Sequence, residues 1–141
     1  EEGVVVKTGH GKFGTEVHTA THRFVADEPA DYGGDDSGPT PYDLLTAALG
    51  TCTAMTMKMY ADRKGWPLDG VTVQVTHENN HECVHAKAME DGTKIQALNR
   101  RISIHGDGLD DDQKARILEI ADKCPVHRTL EGELHIHTDP L

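Results

Sequence analysis

Cys52 and Cys124 are the side chains of this sequence with the most chemistry to offer. A cysteine reacts as its thiolate, so its surroundings decide between a nucleophile and a small inert hydrophobe. Cys52 lies in the run Leu44-Leu45-Thr46-Ala47-Ala48-Leu49-Gly50-Thr51-Cys52-Thr53-Ala54-Met55, which carries no charge. A thiol there is inert unless a cation from elsewhere in the chain stabilises its thiolate. The alternative, a buried small apolar side chain, stays open. Cys124 precedes Pro125 and a predicted helical turn, Val126-His127-Arg128-Thr129-Leu130. Unpaired N–H groups at such a turn favour a thiolate, and His127 and Arg128 add positive character. The alternative for Cys124 is a cysteine that merely sits in a helix-breaking turn.

The third cysteine, Cys83, keeps company with His77, His81 and His85. In an extended segment His81, Cys83 and His85 share one face, and imidazole plus thiolate suits zinc. The spacing matches no zinc motif, so the expectation is a solvated polar hairpin. His135 and His137 are read as surface residues of a final strand. Three well-separated cysteines do not form a secreted disulfide framework; reduced thiols in the cytoplasm are the expected state.

The elements that must position these thiols follow from the pattern. Val4-Val5-Val6, Glu16 to Ala20 and Arg23-Phe24-Val25, broken by Gly9 and Gly11, predict a meander of two or three antiparallel strands. Residues 27–40 hold almost nothing apolar and read as a surface loop. A helix is predicted from about Tyr42 to Arg63, with Thr40 as N-cap, Pro41 at the first helical position and Asp43 in the first turn. Its uncharged first half predicts burial on all sides. Val71 to Thr76 is an alternating strand, residues 77–94 a polar excursion, and Ile95 to His105 a second strand with Ile102 and Ile104 on one face. Asp110 caps another helix in a capping box with Gln113, Ile117, Leu118, Ile120 and Ala121 forming its apolar stripe. Cys124-Pro125 breaks it, a short helix runs to Leu130, and Leu134 to His137 reads as a last strand. The order β3-α-β2-α-α-β is an α+β fold, with no repeat or linker, hence a single domain over 1–141.

Charge sets the class of partner. Asp and Glu outnumber Lys and Arg 24 to 14, for a net charge of −10. Nucleic acid and anionic membrane surfaces are therefore not expected partners, and no apolar stretch approaches the ~18 residues needed to span a bilayer. Hydrophobic residues make up 36% and aromatics 4%, a thin supply that points to a second copy of the chain completing the core. No signal-peptide pattern is present, and the chain opens on Glu1 rather than Met, as expected of a longer or processed product.

Two stretches bear a family likeness. Gly38-Pro39-Thr40-Pro41-Tyr42-Asp43-Leu44-Leu45 leading into Ala47 to Met55 resembles the first cysteine motif of OsmC/Ohr proteins, and Ala121-Asp122-Lys123-Cys124-Pro125-Val126 resembles their second. The resemblance covers about Val4 to Thr138. It implies an intertwined homodimer whose buried central helix carries the first cysteine. It further implies that Cys52 is peroxidatic, forming a sulfenic acid with an organic hydroperoxide, and that Cys124 resolves it to a disulfide reduced by an external dithiol. No cofactor is implied. In OsmC-like members an Arg before a Phe approaches the reactive sulfur, and His22-Arg23-Phe24 stands in that place; Arg23 would make a charge-assisted contact. The best-known peroxide reductases of the family carry Asn-Pro-Glu before the helix. Here Tyr42 takes the Glu position and Asp43, the nearest carboxylate, follows ~100° further round the helix. That pattern is similar to the less characterised OsmC-like branch, and it leaves a second reading: the same fold as a binding module for an apolar ligand or partner, with weak or no peroxidase activity.

Overall fold

The computed structural model describes residues 3–79 and 95–141. It divides into two compact units, Glu1–Leu45 and Thr46–Leu141.

The first unit is a three-stranded antiparallel sheet in the order β1 (Val5–His10), β2 (Gly14–His18), β3 (Arg23–Ala26). Gly9 and Gly11 adopt φ of 114° and 79°, the left-handed region that a Cβ resists, and they shape the β1–β2 turn. The expected meander is thus present with all three strands. The polar loop after β3 is organised by one buried carboxylate. Asp27, only 3% exposed, accepts hydrogen bonds from the backbone N–H groups of Glu28, Asp35 and Ser37 and from the Ser37 hydroxyl. The Ser37 hydroxyl, followed by its N–H, holds this carboxyl below the usual carboxylate range, against the opposing effect of burial and with help from the Glu28 and Asp35 N–H groups.

Because the folded value is depressed, ionised Asp27 contributes stability that is complete above the ordinary value of 3.8 and is lost as pH falls through the folded value. Asp27→Asn is therefore expected to be less stable than the parent at pH 7, with the gap closing below pH 3.8. Urea unfolding at pH 7 and pH 3 measures it; a gap of the same size at both would contradict the assignment.

The first unit ends at the fifth residue of α1 (Pro41–Lys64). Thr40 caps this helix as expected, its hydroxyl accepting the Asp43 N–H while the Asp43 carboxylate accepts the Thr40 N–H. In the second unit β4 (Gly70–Glu78) pairs antiparallel with β5 (Ala97–His105), Val71 opposite Ile104 and Val75 opposite Arg100. Then come α2 (Asp111–Ile120), a 3-10 turn (Ala121–Lys123) and α3 (Pro125–Glu131). The capping box of Asp110 and Gln113 is present. The core gathers Met57 and Ala61 of α1, Leu68, Leu109, Ile117 and Ala121, with Val71, Ile102 and Ile104 of the sheet packed against it. A Cβ on Gly50 would meet Val75 at 3.3 Å, so α1 approaches β4 closely there.

Two expectations need correction. Within a single chain α1 is covered along one stripe only, Leu49, Thr53, Met57 and Ala61, spaced four apart, where its uncharged first half predicts burial on all sides. The opposite side leaves Met55 and Met59 61% and 58% exposed. A helix without charges carries no signal for which faces the single chain covers. The last strand is also absent: residues 133–141 have no regular structure, and Ile136 is 87% exposed. Alternation alone does not make a strand, because its N–H and C=O groups need a neighbouring strand to bond. The α+β class stands. The polar segment beginning at residue 80, with His81, Cys83 and His85, lies outside the described residues. His77 is on β4, its Nε2 2.6 Å from Gln96 Oε1, and no group of three metal-ligating side chains occurs among the described residues.

Candidate active site: a thiol pair around a buried arginine

Cys52 and Cys124 meet in the second unit. The α1 stripe turns Thr53 inward and leaves Cys52 half-buried beside it, with its Sγ 4.0 Å from Thr56 Oγ1. Cys124 is fully buried. It is the N-cap of α3, its Sγ accepting the His127 N–H at 3.5 Å, with Pro125 in the first helical turn. Burial alone pushes the Cys124 thiol up. The polar groups around it, Cys52 first, then the His127 N–H, Thr53 and the Val126 N–H, outweigh burial, so the net direction is down. Both cysteines are free thiols.

The group that organises this pocket is Arg100. Its side chain, 14% exposed, sits on the apolar face of β5 with Ile102 and Ile104. Nη1 donates to Thr53 Oγ1 at 3.0 Å and to the Ala121 carbonyl at 2.9 Å. Nη2 lies 3.2 Å from Asp122 Oδ1 and 2.7 Å from His127 Nδ1. A guanidinium only donates, so His127 Nδ1 accepts and its proton sits on Nε2, which donates to Glu131 Oε1 at 2.7 Å. Arg100 and His127, with Leu49, Leu98, Leu130 and Glu131, also border a cavity of about 340 Å³.

Composition and motif reading did not single out Arg100 or Thr53. The signal was available: Arg100 occupies a register position that its neighbours Ile102 and Ile104 mark as inward, and a charge there requires partners. His127 was read only as a source of positive character; its actual part is to tie Arg100 to α3.

Arg23 and Asp43 belong to the first unit. Arg23 is exposed on β3, opposite His18. The Asp43 carboxylate holds the Thr40 N–H, and among the described residues no ion pair joins it to Arg23.

The model of the family described as OsmC-like protein matches residues 34–139 of this chain. The chain belongs to the OsmC-like family. Solved structures share its fold. An OsmC-like protein from Mycoplasma pneumoniae aligns with a TM-score of 0.71 at 17% identity, covering 94% of this chain and 88% of its own. An organic hydroperoxide resistance protein OsmC from Legionella pneumophila aligns at 0.60 and 16%, covering 93% and 90%. An organic hydroperoxide resistance protein from Elizabethkingia anophelis aligns at 0.65 and 17%, covering 92% and 87%. No curated protein matches the chain in sequence. Among the described residues no helix of this OsmC-like chain is long and apolar enough to cross a membrane.

Proposed function

We propose that this OsmC-like chain reduces organic hydroperoxides with Cys52 and Cys124 as a redox pair. The observation that carries the reading is that Cys52 and Cys124, from distant parts of the sequence, are neighbours, and that the polar groups around Cys124, Cys52 first among them, make its thiol more acidic against the effect of burial. The half-buried sulfur is the one a peroxide reaches, and Met55 and Met59 beside it offer apolar surface to an alkyl tail.

In this reading the Cys52 thiolate attacks the peroxide O–O bond. Sulfur takes one oxygen as sulfenic acid, and the alkoxide leaves as the alcohol after gaining a proton. The Cys124 thiolate then attacks the sulfenic sulfur; the S–S bond forms and hydroxide leaves as water with one proton. An external dithiol returns both cysteines to thiols by two exchange steps and becomes a disulfide itself. In this reading Arg23 is the cation assigned to the first thiolate by the family pattern, with Asp43 the carboxylate assigned to Arg23, and a second copy of the chain covers the exposed face of α1 in a homodimer. The cycle needs reduced thiols at rest, which suits the cytoplasm.

A second reading has its own support. Tyr42 stands where a Glu would orient Arg23, and Asp43 is engaged as a helix cap, an arrangement that suits a binding module for an apolar ligand or partner. Purified protein given an alkyl hydroperoxide and excess dithiol decides between the two. Consumption well above that of dithiol alone is expected; consumption equal to it sinks the peroxidase reading in favour of the second.

A further inference from the structure

The two thiols are surrounded by three elements, α1, the turn before α3, and α3 itself, and one side chain bonds all three. Arg100 reaches α1 through Thr53, the turn through the Ala121 carbonyl and Asp122, and α3 through His127. The Ala121 carbonyl also accepts the Cys124 N–H at 3.4 Å. The Thr53 hydroxyl gives its proton to the Leu49 carbonyl at 2.7 Å, which leaves its oxygen to accept from Arg100 Nη1 at 3.0 Å. The hold of Arg100 on Ala121 and His127 fixes the backbone groups on either side of the Cys124 sulfur, the Ala121 carbonyl that takes the Cys124 N–H and the His127 N–H that donates to Cys124 Sγ.

We infer that Arg100 is a positioning residue of the thiol pair: by holding Thr53, Ala121 and His127 it keeps Cys124 in the position, its sulfur accepting the His127 N–H, from which it attacks the oxidised Cys52. The inference deepens the proposed peroxidase reading and rests on it for the attack step alone. The charged and titratable groups around Cys124 are Cys52 on α1, Arg100 on β5, Asp122 in the turn, and His127 and Glu131 on α3. Of these Arg100 alone reaches α1, the turn and α3 together; the Asp122–His127 pair, 3.9 Å apart, joins only the turn and α3.

Thiolate absorbance near 240 nm, followed against pH in a Cys83→Ser background, tests the inference without peroxide. Arg100→Met is expected to move the first thiolate step to higher pH, cutting the thiolate fraction at neutral pH about tenfold for a rise of one pH unit. Arg100→Lys, which keeps the charge but not the fork, should recover part of the shift. Thr53→Val, with Arg100 intact, should move the same step in the same direction, and it decides the matter if Arg100→Met does not fold. Peroxide-driven disulfide closure should slow by a similar factor in each variant. A first thiolate step unchanged in folded Arg100→Met, or in Thr53→Val where the former does not fold, overturns the inference. A shifted step in a chain that never forms the disulfide upholds the positioning role and removes the peroxidase reading instead.

Discussion

Cys52→Ser is expected to bring dithiol-dependent hydroperoxide consumption down to background, a loss of roughly a thousandfold or more, as for removal of an attacking nucleophile. The expectation comes from position: Cys52 is the more accessible sulfur, whereas Cys124 is fully buried at the start of α3. Serine preserves size and hydrogen bonding but lacks the polarisable, easily ionised sulfur that attacks an O–O bond. Cys124→Ser should behave differently. It should still react once with peroxide, stop at a Cys52 sulfenic acid, and fail to turn over through the internal disulfide. Initial-rate and single-turnover assays on the two variants separate the roles. Equal loss of the first oxidation step in both, or a Cys52→Ser chain as active as the parent, contradicts the assignment.

Ile117→Ala should be the most damaging core substitution in the second unit, lowering unfolding stability by about 2–5 kcal/mol. Ile117 is fully buried. It packs in the cluster that unites Met57 and Ala61 of α1 with Leu68, Leu109 and Ala121. Removing its outer carbons leaves a hole between helices whose backbones are fixed by their own ladders, so collapse into the space is limited. The effect should reach the thiols as well, because Ala121 borders both Ile117's cluster and the Arg100 network. Denaturant melts of parent and variant provide the measurement; a change under 1 kcal/mol would mean that the cluster is not the one that stabilises this unit.

Local signals in the sequence were the reliable ones. The caps at Thr40 and Asp110 each satisfy an N–H within three residues, and both formed as the residue types imply. Cys124 before a proline marked a helix start for the same reason. The strand alternation from Val71 also held, since Val71 and Val75 point to the face that Ile104 and Arg100 share across the pair. What failed depended on neighbours far along the chain. The neutral half of α1 gave no hint that only the Leu49–Thr53–Met57–Ala61 stripe would be covered. Leu134 to His137 has strand-like alternation but, among the described residues, no hydrogen-bonding neighbour strand. Arg100 escaped notice because the motifs drew attention to the sulfurs, although its inward register on β5 was readable beside Ile102 and Ile104.

Intact mass under non-reducing conditions, after one equivalent of an alkyl hydroperoxide, addresses the pairing of the sulfurs most directly. The pair predicts the loss of two hydrogens, with peptide mapping that joins Cys52 to Cys124 and leaves Cys83 a free thiol. A stable gain of one or more oxygens with no such link, or a link through Cys83, would contradict it.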